Sequence, residues 1–369
     1  MLNIGLVGVG KMGISHLAIL KAHARVSSVA ICEPSGYVRN VIEKYCGIAT
    51  YDGFAKMVDA GGLDAVVVAT PSRLHARMVR DALDKGLHVF CEKPFCLDPR
   101  ESRELAQLAK AKRLVNQVGY HHRFVGAFNE AKRIVEAGAL GRIHHVRVEA
   151  YGPVVLRPKS GTWRARNEEG GGCLYDYACH AVDLMNYVVG PPRSVSGAVM
   201  NRIFSADVDD EVYATLSFEG GMSGQIAANW SDESFRRMFA QISVWGTNGR
   251  LIADRQEIKT YIRRSDVGSA RLSSGWRTRN ITELTRPVDF YLRGEEYSAQ
   301  IDHFLDCIER GVVENISSFE EAARTDEVVA LIRRSAEQTD AARPEARPVS
   351  SASQPKSAGL WHKAKALLN

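Results

Sequence analysis

Lys93 stands in the run Glu92-Lys93-Pro94, and three further residues able to exchange protons or carry charge, Asp176, His180 and Asp183, recur at spacings of four and three. A lysine at a strand end can hydrogen-bond a reacting oxygen, and partial desolvation depresses its pKa. The proline that follows biases Lys93 to an extended backbone. On a helix beginning near Gly171, the four-and-three spacing puts Asp176, His180 and Asp183 on one face. A histidine beside carboxylates has a charge adjustable near neutral pH, which suits a general acid or base. The glycines ahead of that helix, Gly170, Gly171 and Gly172, are expected to let backbone approach a bound ligand.

Near the start lies Gly8-Val9-Gly10-Lys11-Met12-Gly13, directly after an apolar run that ends at Val7. Gly8 permits a tight turn, Gly10 lets backbone approach a pyrophosphate, and Gly13 lets a helix pack against the strand. A helix starting near Lys11 and Met12 presents unpaired N–H groups to phosphates. Glu33 closes the next apolar run, 20 residues past Gly13. A carboxylate there accepts hydrogen bonds from ribose hydroxyls and repels a 2′-phosphate, so NAD is expected over NADP. Arg39 lies one helical turn further, beyond the expected reach of such a phosphate. Ala69-Thr70-Pro71 follows a buried strand and is placed beneath the nicotinamide half of the cofactor. His75, close by, reads equally as a cofactor contact or as a helix-start residue satisfied by backbone.

These pieces need a scaffold that brings strand ends to one edge. Strands are expected at 3–7, 26–32, 65–69, 89–91 and 115–119, alternating with helices at 12–24, 35–46, 53–60, 74–85 and 99–112. Such alternation means βαβ units and a parallel sheet. Ala65-Val66-Val67-Val68-Ala69 lacks polar alternation, as a strand covered on both faces should. After about residue 121 helices at 125–137 and 171–189 surround longer alternating strands at 144–151, 194–203, 210–218, 221–230 and 239–246. Glu219-Gly220-Gly221 and Asn248-Gly249 supply turns. Residues 121–340 are therefore expected to form an α+β domain with a mostly antiparallel sheet, closed by helices at 295–310 and 318–337. From 341 the composition turns to Ala, Pro and Ser. That stretch reads as a flexible tail, with either a frayed end or a short amphipathic docking helix at 360–368.

A chain of 369 residues suits two domains, here 1–120 and 121–340, and 45% hydrophobic with 25% charged residues is a soluble globular balance. No apolar run approaches the ~20 residues of a membrane helix. The strand-like start leaves no room for a signal peptide, so a cytoplasmic protein is expected. The net charge of +5 is mild and unclustered, which gives no case for nucleic acid. Seven scattered cysteines favour free thiols over a disulfide framework. Cys91, Cys173, Cys179 and His180 lack the paired spacing of a zinc site, so no metal is expected.

In this order, the glycine fingerprint at 8–13, Ala69-Thr70-Pro71, Glu92-Lys93-Pro94, Trp163-Arg164 and Gly171-Gly172 through Asp183 resemble the glucose-fructose oxidoreductase / inositol dehydrogenase family over residues 1–340. The resemblance implies an N-terminal Rossmann domain and a C-terminal domain whose large open sheet builds a homodimer or homotetramer. It implies that Lys93, Asp176 and His180 line the reacting centre. Position 121 is often asparagine in relatives, whereas His121-His122 stand here before Arg123.

The chemistry expected is reversible oxidation of a secondary alcohol on a sugar, cyclitol or nucleotide-linked sugar. His180, oriented by Asp176, would take the hydroxyl proton while Lys93 polarises the oxygen, or the two would exchange roles. Tyr120, Arg123, Trp163, Arg164 and Asp183 are the substrate-side candidates, with Trp163 against a sugar face and Arg164 on an anionic group, and each reads equally as domain packing. Arg157, Lys159, Arg164 and Arg166 would suit an anionic substrate or form a solvated loop. Two rivals stay open: a glycosidase that oxidises its sugar transiently, and a non-catalytic NAD-binding regulator.

Overall fold

The computed structural model describes residues 1–157, 162–269 and 272–341. Lys159 and the tail helix at 360–368 lie outside them.

The first sheet is parallel. Its strands are β1 (Leu2–Val7), β2 (Val26–Cys32), β3 (Thr50–Tyr51), β4 (Ala65–Val68), β5 (His88–Cys91) and β6 (Asn116–Val118), in the order β3-β2-β1-β4-β5-β6. Between them run α1 (Lys11–Ala22), α2 (Gly36–Cys46), α3 (Phe54–Asp59), α4 (His75–Asp84) and α5 (Pro99–Ala111). This is the expected doubly wound sheet. All four residues of β4 are fully buried, which is why that run carries no polar alternation. The order reverses between β1 and β4, and a dinucleotide binds outside the carboxyl ends of the strands at such a point. Two-residue β3 was not anticipated, being too short to leave a periodic signal.

The chain then turns at His121–Phe124 and enters α6 (Gly126–Glu136) and β7 (Ile143–Tyr151). A widened π turn, Leu174–Ala178, leads into α7 (Cys179–Val189). Next come β8 (Ser194–Asn201), β9 (Glu211–Ser217), β10 (Ser223–Asn229), β11 (Phe239–Gly246), β12 (Gly249–Asp254), β13 (Glu257–Ile262) and β14 (Gly275–Asn280), then α8 (Ile281–Leu284), α9 (Glu295–Arg310) and α10 (Phe319–Ala341). The second sheet has eight strands in the order β14-β13-β12-β11-β7-β10-β9-β8. It is antiparallel except where β10 joins β7, because α7 and the β8–β9 hairpin carry the chain across before β10 returns. Expected turns join β9 to β10 at Glu219–Gly221 and β11 to β12 at Asn248-Gly249. The strands β12, β13 and β14 extend the sheet beyond the expected set.

In β7 alternate residues Val146, Val148 and Ala150 are fully buried, and α7 packs on this strand. The opposite face leaves Tyr213, Tyr261 and Trp276 exposed. α10 packs against α5 of the first domain and against α7 and β8 of the second. Just before it, Ser317 gives its main-chain oxygen to Val118 N at 2.8 Å, along the outer edge of β6, and Asn116 Oδ1 accepts from Phe319 N at 2.7 Å. Among the described residues no helix is long and apolar enough to cross a membrane.

Candidate active site

The glycine turn at the end of β1 shows what each glycine is for. Gly8 has φ +89°, and a Cβ there would lie 2.8 Å from the carbonyl oxygen of Ala69. A Cβ on Gly13 would lie 2.0 Å from Gly8 O, so this glycine lets α1 close onto the strand. At Gly10 a Cβ would meet nothing within 4 Å, so the backbone there faces open space. The Gly10 N-cap has no side-chain cap, and the first turn of α1 holds no acidic residue. The N–H groups of Lys11, Met12 and Gly13 open this turn, so the cradle fits a pyrophosphate.

Glu33 follows β2 directly and closes that cradle. Its Oε2 accepts from Val9 N and its Oε1 from Ser35 N, both at 3.0 Å. Each oxygen keeps a lone pair for a ribose hydroxyl. Arg39 is closer than its position in the sequence suggested. Its guanidinium donates to the carbonyls of Glu33 at 2.7 Å and Pro34 at 2.8 Å. His75 is a brace between loops: Nδ1 lies 2.9 Å from Pro94 O and Nε2 3.0 Å from Thr70 O. Burial pushes this imidazole down, so it stays neutral with one N–H to serve two carbonyls. The Thr70-Pro71 turn and the Lys93-Pro94 turn, whose peptide is cis, are thereby joined.

Glu92 points back under α1, where its Oε1 lies 2.6 Å from His16 Nε2. Burial works to raise the Glu92 carboxyl, but the His16 bond and the charges of His16 and Lys93 outweigh it and hold the group ionised. Glu92 therefore fixes the base of the loop from which Lys93 reaches forward.

Lys93 Nζ donates to Asp176 Oδ1 and to the main-chain oxygen of Asp176, both at 2.9 Å. Arg164 Nε holds the other carboxylate oxygen at 2.9 Å. Burial alone would raise Asp176, but Lys93 and Arg164 bring it down to about 2. Burial would likewise lower Lys93, yet Asp176 outweighs that and raises it, so the ammonium stays charged. The expected Asp176–His180 pairing is thus corrected: two cations occupy this carboxylate. His180 instead lies among rings, 4.9 Å from His121, 5.0 Å from His122 and 6.1 Å from Tyr120, centroid to centroid. Burial, then the charge of Lys93, pushes His180 well below its ordinary value, so it is neutral with an available lone pair.

Other substrate-side candidates divide. Trp163 and Arg164 sit together on a short turn, the guanidinium 4.6 Å from the indole centroid, and Arg164 is partly exposed. Tyr120 is 1% exposed and forms a wall behind His180, its hydroxyl buried without a partner. Arg123 and Asp183 take the packing alternative. They form a bidentate ion pair, Nε at 3.0 Å and Nη2 at 2.8 Å, with both side chains 1% exposed. Glu321 and Thr325 complete the cluster, which ties the 121–124 turn and α7 to α10. Gly170, Gly171 and Gly172 also serve the fold rather than a ligand. Added Cβ atoms would strike Leu97, the carbonyl of Arg164 and the carboxylate of Asp209.

The spacing rules missed His16 and Tyr297, the latter stacked on His121 at 4.7 Å, while His121 and His122, noted in the sequence as a departure from relatives, turn their rings toward His180. The Cys91, Cys173 and Cys179 thiols are buried and free. A separate cleft of about 480 Å³ between Phe124, Phe239, Arg255 and Arg293 has neither Lys93 nor His180 in its walls, so it is not the reacting centre.

Residues 2–120 match the oxidoreductase family with an NAD-binding Rossmann fold, and residues 128–252 match the GFO/IDH/MocA C-terminal domain. The chain is 30% identical over 229 residues to the rhizopine catabolism protein MocA of Rhizobium meliloti, covering 61% of this chain and 70% of that protein. It is 28% identical over 288 residues to levoglucosan dehydrogenase of Pseudarthrobacter phenanthrenivorans, covering 68% of this chain and 73% of the relative. The scyllo-inositol 2-dehydrogenase (NAD(+)) of Bacillus subtilis is 24% identical over 322 residues, 83% of this chain and 85% of that one. Among solved structures, levoglucosan dehydrogenase in complex with NADH and levoglucosan superposes with a TM-score of 0.81 at 25% identity, covering 92% of this chain and 98% of that one.

Proposed function

This chain belongs to the GFO/IDH/MocA family of NAD-dependent oxidoreductases, and on that premise we propose that it reversibly oxidises a secondary alcohol of a sugar or cyclitol ring. The observation that carries this reading is the charged Lys93, held by Asp176 at the strand-end loop of the NAD-binding domain, with neutral His180 on the helix that the second domain brings to the same place.

NAD, when bound along Gly8–Gly13 and Glu33, supplies the hydride acceptor. The protein does the rest. Lys93 donates a hydrogen bond to the alcohol oxygen and holds the negative charge that grows there as the C–H bond breaks. His180 takes the hydroxyl proton on its free lone pair and returns it in the reverse direction. Asp176 touches neither reacting atom; it keeps Lys93 charged and aimed. Trp163 covers one ring face, and Arg164 has guanidinium nitrogens left over for hydroxyl or carboxylate groups of the substrate. Support for a polyhydroxylated ring comes from the relatives, whose names include a levoglucosan and a scyllo-inositol dehydrogenase.

The same reading takes the open face of the second sheet, with exposed Tyr213, Tyr261 and Trp276, as the surface that pairs subunits into a homodimer or homotetramer. The free cysteines support a reducing compartment, the cytoplasm.

The test follows NADH absorbance with purified protein, NAD and a panel of inositols, aldoses, glucosides, anhydrosugars and nucleotide sugars. Turnover that collapses in Lys93→Ala and His180→Ala supports the assignment. Cleavage of a glycoside without net NADH would replace it with the transient-oxidation rival. Tight NAD binding with neither outcome would leave the regulator.

A further inference from the structure

The N–H groups that lead into the widened turn are taken by two stretches of chain. Gly170 N bonds to Asn167 O at 3.0 Å, Gly171 N to Arg166 O at 3.0 Å and Gly172 N to Arg164 O at 3.2 Å. The next two go to one residue from further along the chain. Asp209, in the loop between β8 and β9, accepts from Cys173 N with its main-chain oxygen at 2.8 Å. Its Oδ2 accepts from Leu174 N at 2.6 Å. Gly172, at φ +104°, leaves room for this, since a Cβ there would lie 2.4 Å from Asp209 Oδ1. Burial raises the Asp209 carboxyl to about 6, so at pH 8 it is ionised at the open end of the turn, where negative charge is favoured.

We propose that Asp209 is a positioning residue for the reacting centre, holding the turn so that Asp176 stands where Lys93 reaches two of its oxygens. This role rests on the dehydrogenase function proposed above. Asp176 lies two residues beyond Leu174, and Lys93 donates to both its carboxylate and its main-chain oxygen. A side-chain bond alone could follow a moving turn. The main-chain bond cannot, so the ammonium registers any slip of the backbone. The strap at 164–166 is no independent anchor, because Arg164 is itself bound to Asp176 and moves with it. Asp209 is the anchor from outside, and its own loop is pinned. The next residue, fully buried Asp210, accepts from the N–H groups of Ile203, Phe204 and Ser205 and from Trp230 Nε1. Asp209 thus acts through the turn and touches no reacting atom.

The test reads Lys93 directly, without NAD or substrate, so its result stands whether or not an alcohol is oxidised. The full-length protein is labelled at pH 8 with limiting acetic anhydride, and acetylation of Lys93 relative to exposed Lys21 is measured by peptide mass spectrometry. In Asp209→Ala the ratio should rise about threefold or more, because loss of the main-chain bond lets burial lower the lysine. Asp209→Asn keeps an acceptor for Leu174 N and should restore the parent ratio. Replacing exposed Asp207 in the same loop with alanine should not change it. Asp209→Glu keeps the charge but displaces the cap by one methylene; it should raise the ratio too, and serves if the alanine variant does not fold. With an alcohol that the parent oxidises, kcat of Asp209→Ala should fall about 10–100-fold while KM changes less than about threefold. A parent-like Lys93 ratio in folded Asp209→Ala or Asp209→Glu would make the residue a cap for the fold alone and overturn the role. A rise in Asp209→Asn as large as in Asp209→Ala would overturn it too, since charge rather than the hydrogen bond would then be acting.

Discussion

Lys93 holds Asp176 twice, by its carboxylate and by its main-chain oxygen, each at 2.9 Å. The second bond ties the lysine to the backbone of the turn that launches α7, so its position does not rest on one rotatable side chain. Replacing Lys93 with alanine should remove the donor while leaving the dinucleotide cradle in place. We expect kcat to fall by about 10²–10⁴-fold, with the Kd for NAD changed less than about threefold by calorimetry. A parallel loss of NAD affinity would place Lys93 in the cofactor site instead.

Asp176→Asn removes the charge that opposes burial of the lysine. Lys93 should then lose its proton at lower pH than in the parent protein, because desolvation becomes the dominant influence. The alkaline limb of the kcat/KM profile is expected to move toward neutrality. The carboxylate has a second signature in stability. Its folded pKa of about 2 lies below the unfolded value, so it stabilises the protein above roughly pH 4, and that contribution disappears as pH falls toward 2. Acid unfolding of Asp176→Asn should therefore be shallower across that window.

Arg123 and Asp183 should behave as framework. Removing one member of a buried pair strands the other, at a cost of about 3–5 kcal/mol. Arg123→Met is expected to lower the urea midpoint accordingly, with the KM of the remaining folded enzyme little changed. A large KM increase at unchanged stability would return Arg123 to the substrate.

Much of this was legible from residue order. The glycine turn, Glu33 and the β-branched strands of the first sheet announce themselves because parallel strands bury both faces and the turn demands glycine. Other features were not. β13 and β14 carry Lys259, Arg277 and Arg279 on a half-open sheet, so their apolar signal is thin. Spacing of four places Asp176 beside His180 only on a regular helix with no competing cation. The structure has a widened turn at 174–178 and two cations waiting. Adjacent residues usually point apart, and only the tight turn at 121–124 lets His121 and His122 both face His180.

Cofactor choice should respond to Glu33. Wild type is expected to prefer NAD. In Glu33→Ala the carboxylate no longer repels a 2′-phosphate, while Arg39 stays against the carbonyls of residues 33 and 34. The NADP/NAD ratio of kcat/KM should rise by about tenfold or more, a change of about 1.4 kcal/mol. An unchanged ratio would show that Glu33 acts only by holding Val9 and Ser35.

Asp326 offers a stability test far from the reacting atoms. Burial raises it to about 7, despite hydrogen bonds from Cys96 N at 2.9 Å and Ser102 Oγ at 2.6 Å. A raised acid keeps its proton in the folded state between about pH 4 and 7, so stability falls as pH climbs through that window. Asp326→Asn keeps an acceptor for both donors and cannot ionise. It should stabilise the protein by about 1–3 kcal/mol at pH 8 and by much less at pH 5, measured by urea titration.

The return of the chain to its own beginning limits how this protein can be divided. Ser317 and Phe319 bond to β6, and α10 then lies across α5 before reaching the second sheet. The last strand of the NAD-binding half is therefore completed by residues nearly two hundred positions downstream. A fragment ending at 120 would bare that strand's edge and the apolar side of α5, so it should aggregate rather than bind NAD as a free module. Exchanging second domains between relatives would need the 315–341 segment to travel with the first. The unit inherited, swapped or engineered here is the whole chain through α10.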